Sequence, residues 1–174
     1  MRGAIFKTIL IAGAVAGTLD LTGALVVYAA ILHKASVLLI LQRIAAAAFG
    51  LRAFKGGYFM ALWGVIFHYR IAFSWTAAYV LLYPSQPLMR KSRVISGLLY
   101  GLLVWVIMNR IVIPMTRLPA PSRFQWNAAL IGMALLVFFI GLPVAFITDF
   151  FSRRNALRDT DAPADLEQVT DGGG

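Results

Sequence analysis

The sequence predicts an all-helical (all-α) membrane protein with four transmembrane helices, a short interfacial or re-entrant helix after the first, and a disordered C-terminal tail. Of its 174 residues 60% are hydrophobic and only 13% are charged, and the mean hydropathy is +0.80, which is too apolar for a soluble domain. The apolar residues are gathered in runs of about 20 or more, the helical length that crosses a bilayer core. These runs show no alternation, so a transmembrane β-barrel is not expected.

The four long runs are each expected to be helical, because backbone N–H and C=O groups in lipid must be bonded within their own segment. The first run follows Arg2 and Lys7, as the apolar core of a signal peptide would. Asp20 interrupts this run, and we therefore expect it to remain as an uncleaved span. The spans are predicted over residues 8–32, 58–83, 95–116 and 128–151.

A fifth stretch, "ASVLLILQRIAAAAFG" at residues 35–50, needs a separate interpretation. It carries Gln42 and Arg43 and ends at Gly50, which leaves a helix shorter than the roughly 20 residues of a full span. The length favours an interfacial or re-entrant helix. The alternative is a fifth crossing, which would place the two termini on opposite sides of the membrane.

The basic residues are interpreted as topology determinants. Sixteen Lys and Arg stand against seven Asp and Glu, but they lie between the apolar runs rather than on one continuous face, so no nucleic-acid partner is predicted. The clusters "RKSR" and "SRRNALR" adjoin span ends, where positive charge marks the inner side. We therefore predict a multi-pass protein of the bacterial inner (plasma) membrane with both termini cytoplasmic.

The composition changes abruptly after Arg158. The segment "DTDAPADLEQVTDGGG" holds five of the seven acidic residues and almost no large apolar ones, so it cannot bury enough surface to fold by itself. The predicted division is a transmembrane domain at residues 1–154 and an acidic, disordered cytoplasmic tail at 155–174.

Five polar residues inside the predicted spans form a candidate buried cluster. Measured from the inner edge at 1.5 Å per residue, Asp20 lies at about 18 Å and His68 at about 15 Å, and Arg70, Asn109 and Arg110 lie within one or two helical turns of that layer. A charge left unpaired there costs on the order of 3 kcal/mol. Asp20 is therefore expected to pair with His68, with Arg110 or Arg70 as alternatives.

The helix faces on which Asp20 and His68 lie also favour a contact between them. Asp20 continues the face of Gly13 and Gly17, a G-x-x-x-G spacing that brings helices close together. His68 lies on a stripe of small residues with Gly64 and Ala72.

Two further glycine patterns occur in the later spans. Gly97 and Gly101 repeat the G-x-x-x-G spacing on the face of Asn109, and Gly141 and Pro143 are expected to loosen or kink the last helix.

The segments "AGTLD", "LQRIAAAAFGLRAFKGG", "GVIFHYRIAFSWTAAY", "SGLLYGLLVWVIMNRIVIPMTRLP" and "GLPVAF" followed by "RR" are similar to a group of small bacterial inner-membrane proteins, the YagU-like family. The resemblance covers about residues 8–154. It implies a helical membrane fold and bacterial origin, and it implies no catalytic residue, ligand or cofactor.

The chain lacks the residues of the common intramembrane chemistries. Without cysteine, disulfides, iron–sulfur clusters and thiolate zinc sites are excluded. A two-histidine haem would need facing ligands, but His33 and His68 differ in depth by about 15 Å. No nucleophile triad, carboxylate pair or phosphate loop is present. We therefore predict neither enzymatic activity nor a cofactor.

Two functional hypotheses remain. The first is a non-catalytic membrane protein whose buried polar cluster fixes helix packing and whose basic cytoplasmic loops contact anionic lipid or a partner. The alternative is a proton-linked small-solute transporter or channel component, in which Asp20 and His68 form a relay. Four helices are few for a complete transporter, so this alternative implies a homo-oligomer. The bilayer is the one partner common to both, and the sequence leaves a small-molecule ligand open.

Overall fold

The computed structural model describes residues 2–118 and 125–160, and all regular structure within these ranges is helical. Ser36 and Ser92 begin two of the helices as N-caps, because their hydroxyls accept the N–H groups of Leu39 and Ile95. The α-helices are α1 Arg2–Leu25, α2 Val37–Phe49, α3 Gly57–Leu82, α4 Pro87–Lys91, α5 Arg93–Ile107, α6 Trp126–Leu135 and α7 Leu142–Thr160.

Wider or tighter turns prolong several helices. π-Helical turns extend α1 over Val26–Ile31 and α5 over Met108–Val112, and a third such segment, Leu136–Gly141, joins α6 to α7 in one continuous helix. This third segment confirms the loosening predicted for Gly141 and Pro143, because proline lacks the N–H that an α-helical turn requires. Tight 3₁₀ turns follow α2 over Gly50–Lys55 and α3 over Tyr83–Ser85.

Five helices of the described chain are long and apolar enough to cross a membrane, and many of their large apolar side chains face outward. By length and composition the candidate spans are Gly3–Ile31, Val37–Lys55, Gly57–Ser85, Arg93–Met115 and Trp126–Leu157. Large apolar side chains such as Phe6, Leu81 and Phe138 are more than half exposed on the outer surface. These are the features of a multi-pass membrane protein in contact with lipid.

Helices α1 and α3 pack side by side in opposite directions. A Cβ at Gly17 would lie 3.1 Å from both Ala72 and Tyr69, so the backbones approach closely where the G-x-x-x-G spacing predicts. Nearer the start of α1, Thr8 shares a cavity with Val80 from the end of α3. The early part of one helix therefore meets the late part of the other.

The α6–α7 helix packs antiparallel to α5 through glycines. A Cβ at Gly97 would lie 3.0 Å from the Gly141 carbonyl oxygen, and one at Gly101 only 2.5 Å from the Cα of Val137. The predicted Gly97–Gly101 contact face is thus occupied by the last helix. Because α1 also contacts this helix at Gly23, α1, α3, α5 and α6–α7 form a bundle of alternating direction.

Helix α2 contacts the first part of α3. The Gln42 amide donates to the Gly57 carbonyl at 3.1 Å, and Phe49 meets the Phe67 ring at 5.7 Å between centroids. The 3₁₀ segment after α2 turns at Gly50, whose φ of 67° suits glycine. Nearby, the Arg117 N–H donates to the Ala47 carbonyl at 3.0 Å.

We name the two ends of the bundle by residues that lie there. The Gly57 end holds α2, the start of α3 and Arg117. The Asp149 end holds the start of α1, the end of α3, the start of α5 and the end of α7.

The main core lies inside the four-helix bundle. It is dominated by tyrosine and small residues, and it consists of Ala16, Ala72, Tyr79, Tyr83, Tyr100, Val104, Ile140, Val144 and Ala145. A smaller core under α2 contains Ala45, Ala46 and Ala53.

Helix α7 continues to Thr160 and so passes the predicted domain boundary at residue 154. Residues 161–174 lie outside the described residues, so the prediction of a disordered tail there stays a prediction.

Candidate functional site

A buried carboxylate at the Asp149 end organises the first polar cluster. Asp149 lies on α7 with only 1% of its surface exposed. The Tyr83 hydroxyl, at the end of α3, donates to its Oδ1 at 2.8 Å. A buried charge is tolerated when it is paired and hydrogen-bonded, and Asp149 has both kinds of partner.

Two arginines supply the opposite charge. One turn along α7, Arg153 donates through Nε to both carboxylate oxygens, at 3.0 and 2.9 Å. Arg93, at the start of α5, brings Nη1 to 3.7 Å from Oδ2, and its guanidinium lies 4.7 Å above the Phe146 ring. Asp149 therefore ties together α3, α5 and α7.

These arginines line an open cavity of about 350 Å³ at the surface of the Asp149 end. Its lining consists of Lys91, Ser92, Arg93, Val94 and Arg153. Three of the five side chains are cationic and none is acidic. The chemistry of this lining is that of an anion site.

A column of tyrosines connects this end to the middle of the bundle. Tyr79 and Tyr100 meet edge to face with ring centroids 4.8 Å apart. The Tyr100 hydroxyl donates to the Trp75 carbonyl at 2.5 Å, and the Tyr79 hydroxyl bonds to that of Ser96. The hydroxyls join α3 to α5 while the rings fill the core.

A second cavity, of about 260 Å³, lies between the start of α1, the end of α3 and α7. Thr148 faces it, and the Thr148 hydroxyl oxygen is buried with no hydrogen-bond partner among the described residues. The Thr76 hydroxyl, deep in α3, is likewise buried and unbonded there. The remaining lining is mixed apolar and neutral polar, including Ile5, Thr8, Tyr83, Ser152 and Asn155.

Comparison with known protein families, curated proteins and solved structures finds no match. The resemblance to the YagU-like family therefore stays a prediction.

The predicted neighbours Asp20 and His68 both lie half-buried between α1 and α3, close enough to interact electrostatically. The hydrogen bond is nevertheless made elsewhere, because His68 Nε2 lies 2.9 Å from the Gly17 carbonyl oxygen. A carbonyl only accepts, so Nε2 carries the proton and donates. Neither a hydrogen bond nor an ion pair within 4 Å joins Asp20 to His68.

The other three members of the predicted cluster do not join this pair. Arg70, Asn109 and Arg110 are all exposed on the surface of the bundle. Arg70 is two residues from His68 and therefore points to another side of α3, and Asn109 bonds along its own helix to the Trp105 carbonyl at 2.9 Å. Matching depth placed these residues in one layer, but the helix faces diverge, so one chain does not assemble the cluster.

Sequence reasoning missed the Asp149 cluster. The pattern that could have found it is simple, because Asp20 and Asp149 are the two acids that precede the acidic segment, and Asp149 stands four residues before Arg153. Within residues 2–118 and 125–160, no three His, Cys, Asp or Glu side chains converge as metal ligands would.

Proposed function

We propose that this protein is a non-catalytic protein of the bacterial inner membrane, related to the YagU-like group, whose polar clusters fix helix packing and whose basic end lies in the cytoplasm beside anionic lipid. The observation that carries the proposal is the Asp149 cluster. One buried carboxylate joins three helices and at the same time orients two arginines at the mouth of a basic cavity.

Four crossings with a re-entrant α2 agree best with the packing. Helices α1 and α3 run in opposite directions, and a single full crossing by the helix between them would make them parallel. The observed contacts of α2 with Gly57 and Phe67 fall on the first part of α3. Both observations are satisfied if α2 enters the membrane at the Gly57 end and the chain returns to that same end before α3 begins.

The orientation follows from charge. Lys91, Arg93 and Arg153 meet at the Asp149 end, and lysine and arginine beside span ends mark the cytoplasmic face. The start of α1 lies at the same end. Both the N-terminal segment and the end of α7 are then cytoplasmic.

Single cysteines test this topology in a chain that has none of its own. Lys34→Cys and Lys55→Cys, before and after α2, should both be labelled by an impermeant maleimide added to spheroplasts. Gly3→Cys and Ser85→Cys should react only after the membrane is opened. A permeant maleimide that labels all four variants is the control for reactivity.

Each result has a distinct meaning. Labelling of Lys34→Cys but not Lys55→Cys would establish a fifth crossing. Labelling of Gly3→Cys and Ser85→Cys alone would invert the orientation.

The second candidate function is a proton-linked transporter or channel component acting as a homo-oligomer. The observation that favours it is Asp20, a half-buried acid within the spans that accepts no hydrogen bond from the described residues and is therefore chemically available to take up a proton.

Proteoliposome flux separates the two functions. A proton-linked flux that Asp20→Asn abolishes, with fold and assembly intact, would establish the transporter. A strictly monomeric protein with no flux under any applied gradient would support the first proposed function, in which the polar clusters only fix helix packing.

A further inference from the structure

The basic cavity at the Asp149 end has a lining suited to one class of ligand. Lys91, Arg93 and Arg153 contribute cationic groups, and Ser92 contributes a hydroxyl. The Asp149 carboxylate lies behind this lining with only 2% of its side chain exposed. Three cations around one buried carboxylate leave two positive charges in excess.

Asp149 holds both arginines from the buried side, which leaves the guanidinium nitrogens that face the cavity available to a ligand. Arg153 uses Nε for Asp149, and its two terminal nitrogens make no hydrogen bond within the described residues. Arg93 is fixed by the carboxylate on one side and by the Phe146 ring beneath it. Guanidinium groups oriented in this way suit the oxygens of a phosphate, which they can bind in pairs.

The start of α5 adds to the positive electrostatic potential of the cavity. Ser92 Oγ accepts the Ile95 N–H at 3.4 Å, so the hydroxyl hydrogen of Ser92 remains able to donate. The first N–H groups of α5 follow directly, and the start of a helix carries a partial positive charge. This contribution reinforces the three cationic side chains.

The cavity lies where lipid headgroups lie. Arg93 is the first residue of one candidate span, and Arg153 is near the end of another. Val94 adds an apolar side to the lining, on which the carbon atoms beside a phosphate can rest. A ligand that combines a multiply charged head with an apolar body matches both parts.

We propose that this cavity binds the phosphate groups of an anionic compound, and that an anionic lipid headgroup carrying two negative charges is its natural source. The proposal deepens the lipid contact named in the proposed function and rests on it. Lipid binding is measured in detergent, so its outcome does not depend on which side of the membrane the cavity faces.

The test is native mass spectrometry of the full-length protein in neutral detergent, titrated separately with cardiolipin, phosphatidylglycerol and phosphatidylcholine. Cardiolipin, with two phosphates, should bind more tightly than phosphatidylglycerol, and phosphatidylcholine should bind least. Lys91→Gln should weaken cardiolipin binding about fivefold, the effect of one cation near an anionic surface.

Neighbouring cations supply matched controls. Arg90→Gln removes the same charge one residue before Lys91, and Arg154→Gln does so one residue after Arg153, yet neither residue lines the cavity. Both control variants should bind cardiolipin as the unaltered protein does. Arg153→Gln should weaken binding, and its thermal unfolding is recorded alongside because Asp149 loses a partner.

Competition with inorganic phosphate identifies the source of the phosphate. Excess phosphate that fails to displace cardiolipin supports the lipid headgroup, whereas displacement that Lys91→Gln weakens supports a soluble phosphate compound at the same site. Equal losses in Lys91→Gln and Arg90→Gln would overturn the proposal in favour of diffuse attraction. So would equal binding of cardiolipin and phosphatidylcholine.

Discussion

The hydrogen bond from Tyr83 to Asp149 offers the sharpest test of how the Asp149 end is held together. Tyr83→Phe removes only the hydroxyl, since the ring can keep its place in the core. The hydroxyl lies 2.8 Å from Oδ1, and both residues are almost completely buried. The carboxylate keeps its arginine partners, so the substitution does not leave an isolated charge.

The expected cost follows from the kind of bond. Hydrogen bonds to charged groups contribute about 1.5–3 kcal/mol in soluble proteins, whereas those measured in a membrane protein average about 0.6 and reach about 1.7 kcal/mol. A buried, charge-assisted bond should lie near the top of the membrane range. We expect Tyr83→Phe to lower the free energy of unfolding by about 1.5 kcal/mol, about tenfold in the unfolding equilibrium constant.

The assay is reversible unfolding by SDS in mixed micelles, followed by circular dichroism. Tyr69→Phe is the matched control, because its hydroxyl bonds the neutral and exposed Thr18 hydroxyl, also at 2.8 Å. The control should cost about 0.6 kcal/mol or less. Equal losses in the two variants would refute the special contribution of the buried carboxylate.

Two further pairs of substitutions test the remaining packing. Gly64→Ala should cost about 1–3 kcal/mol in the same assay, because its Cβ would overlap the Leu41 carbonyl. The control Gly132→Ala should be nearly neutral, because its Cβ would meet its nearest atom at an ordinary 3.7 Å. Equal effects of the two substitutions would contradict the close α2–α3 contact. His68→Ala should destabilise the protein because it removes the bond to the Gly17 carbonyl, whereas Asp20→Asn removes no hydrogen bond made by the described residues and should cost little alone. The coupling between the two changes should be about 0.6 kcal/mol. Strictly additive losses would show that the two side chains do not interact.

The sequence predicted the helical class well, because composition and run length are direct consequences of the bilayer as a solvent. Glycine spacing also predicted contact faces, and Gly17 and Gly97 do lie at close helix approaches. Two helix backbones can approach closely only where at least one of them carries a small residue. The contact face can therefore be predicted from the glycine spacing of a single helix.

The polar cluster was harder to predict because depth is only one of three coordinates. Arg110 matched the layer of Asp20 by residue count but is exposed on a different face. Which helices become neighbours decides the partner, and that information is spread over the whole chain. Asp149 lies 66 residues from Tyr83, and no local pattern connects them.

That long separation has a consequence for how the protein is made. The Gln42–Gly57 bond spans 15 residues, so α2 and the start of α3 can pair as soon as both have been synthesised. Tyr83, Arg93 and the glycine face of α5 must wait for the last helix, because a chain is made from its N-terminus. A nascent chain that stops before residue 136 therefore has nothing to fill the glycine face of α5, and Tyr83 and Arg93 gain their buried partner only when Asp149 has been added.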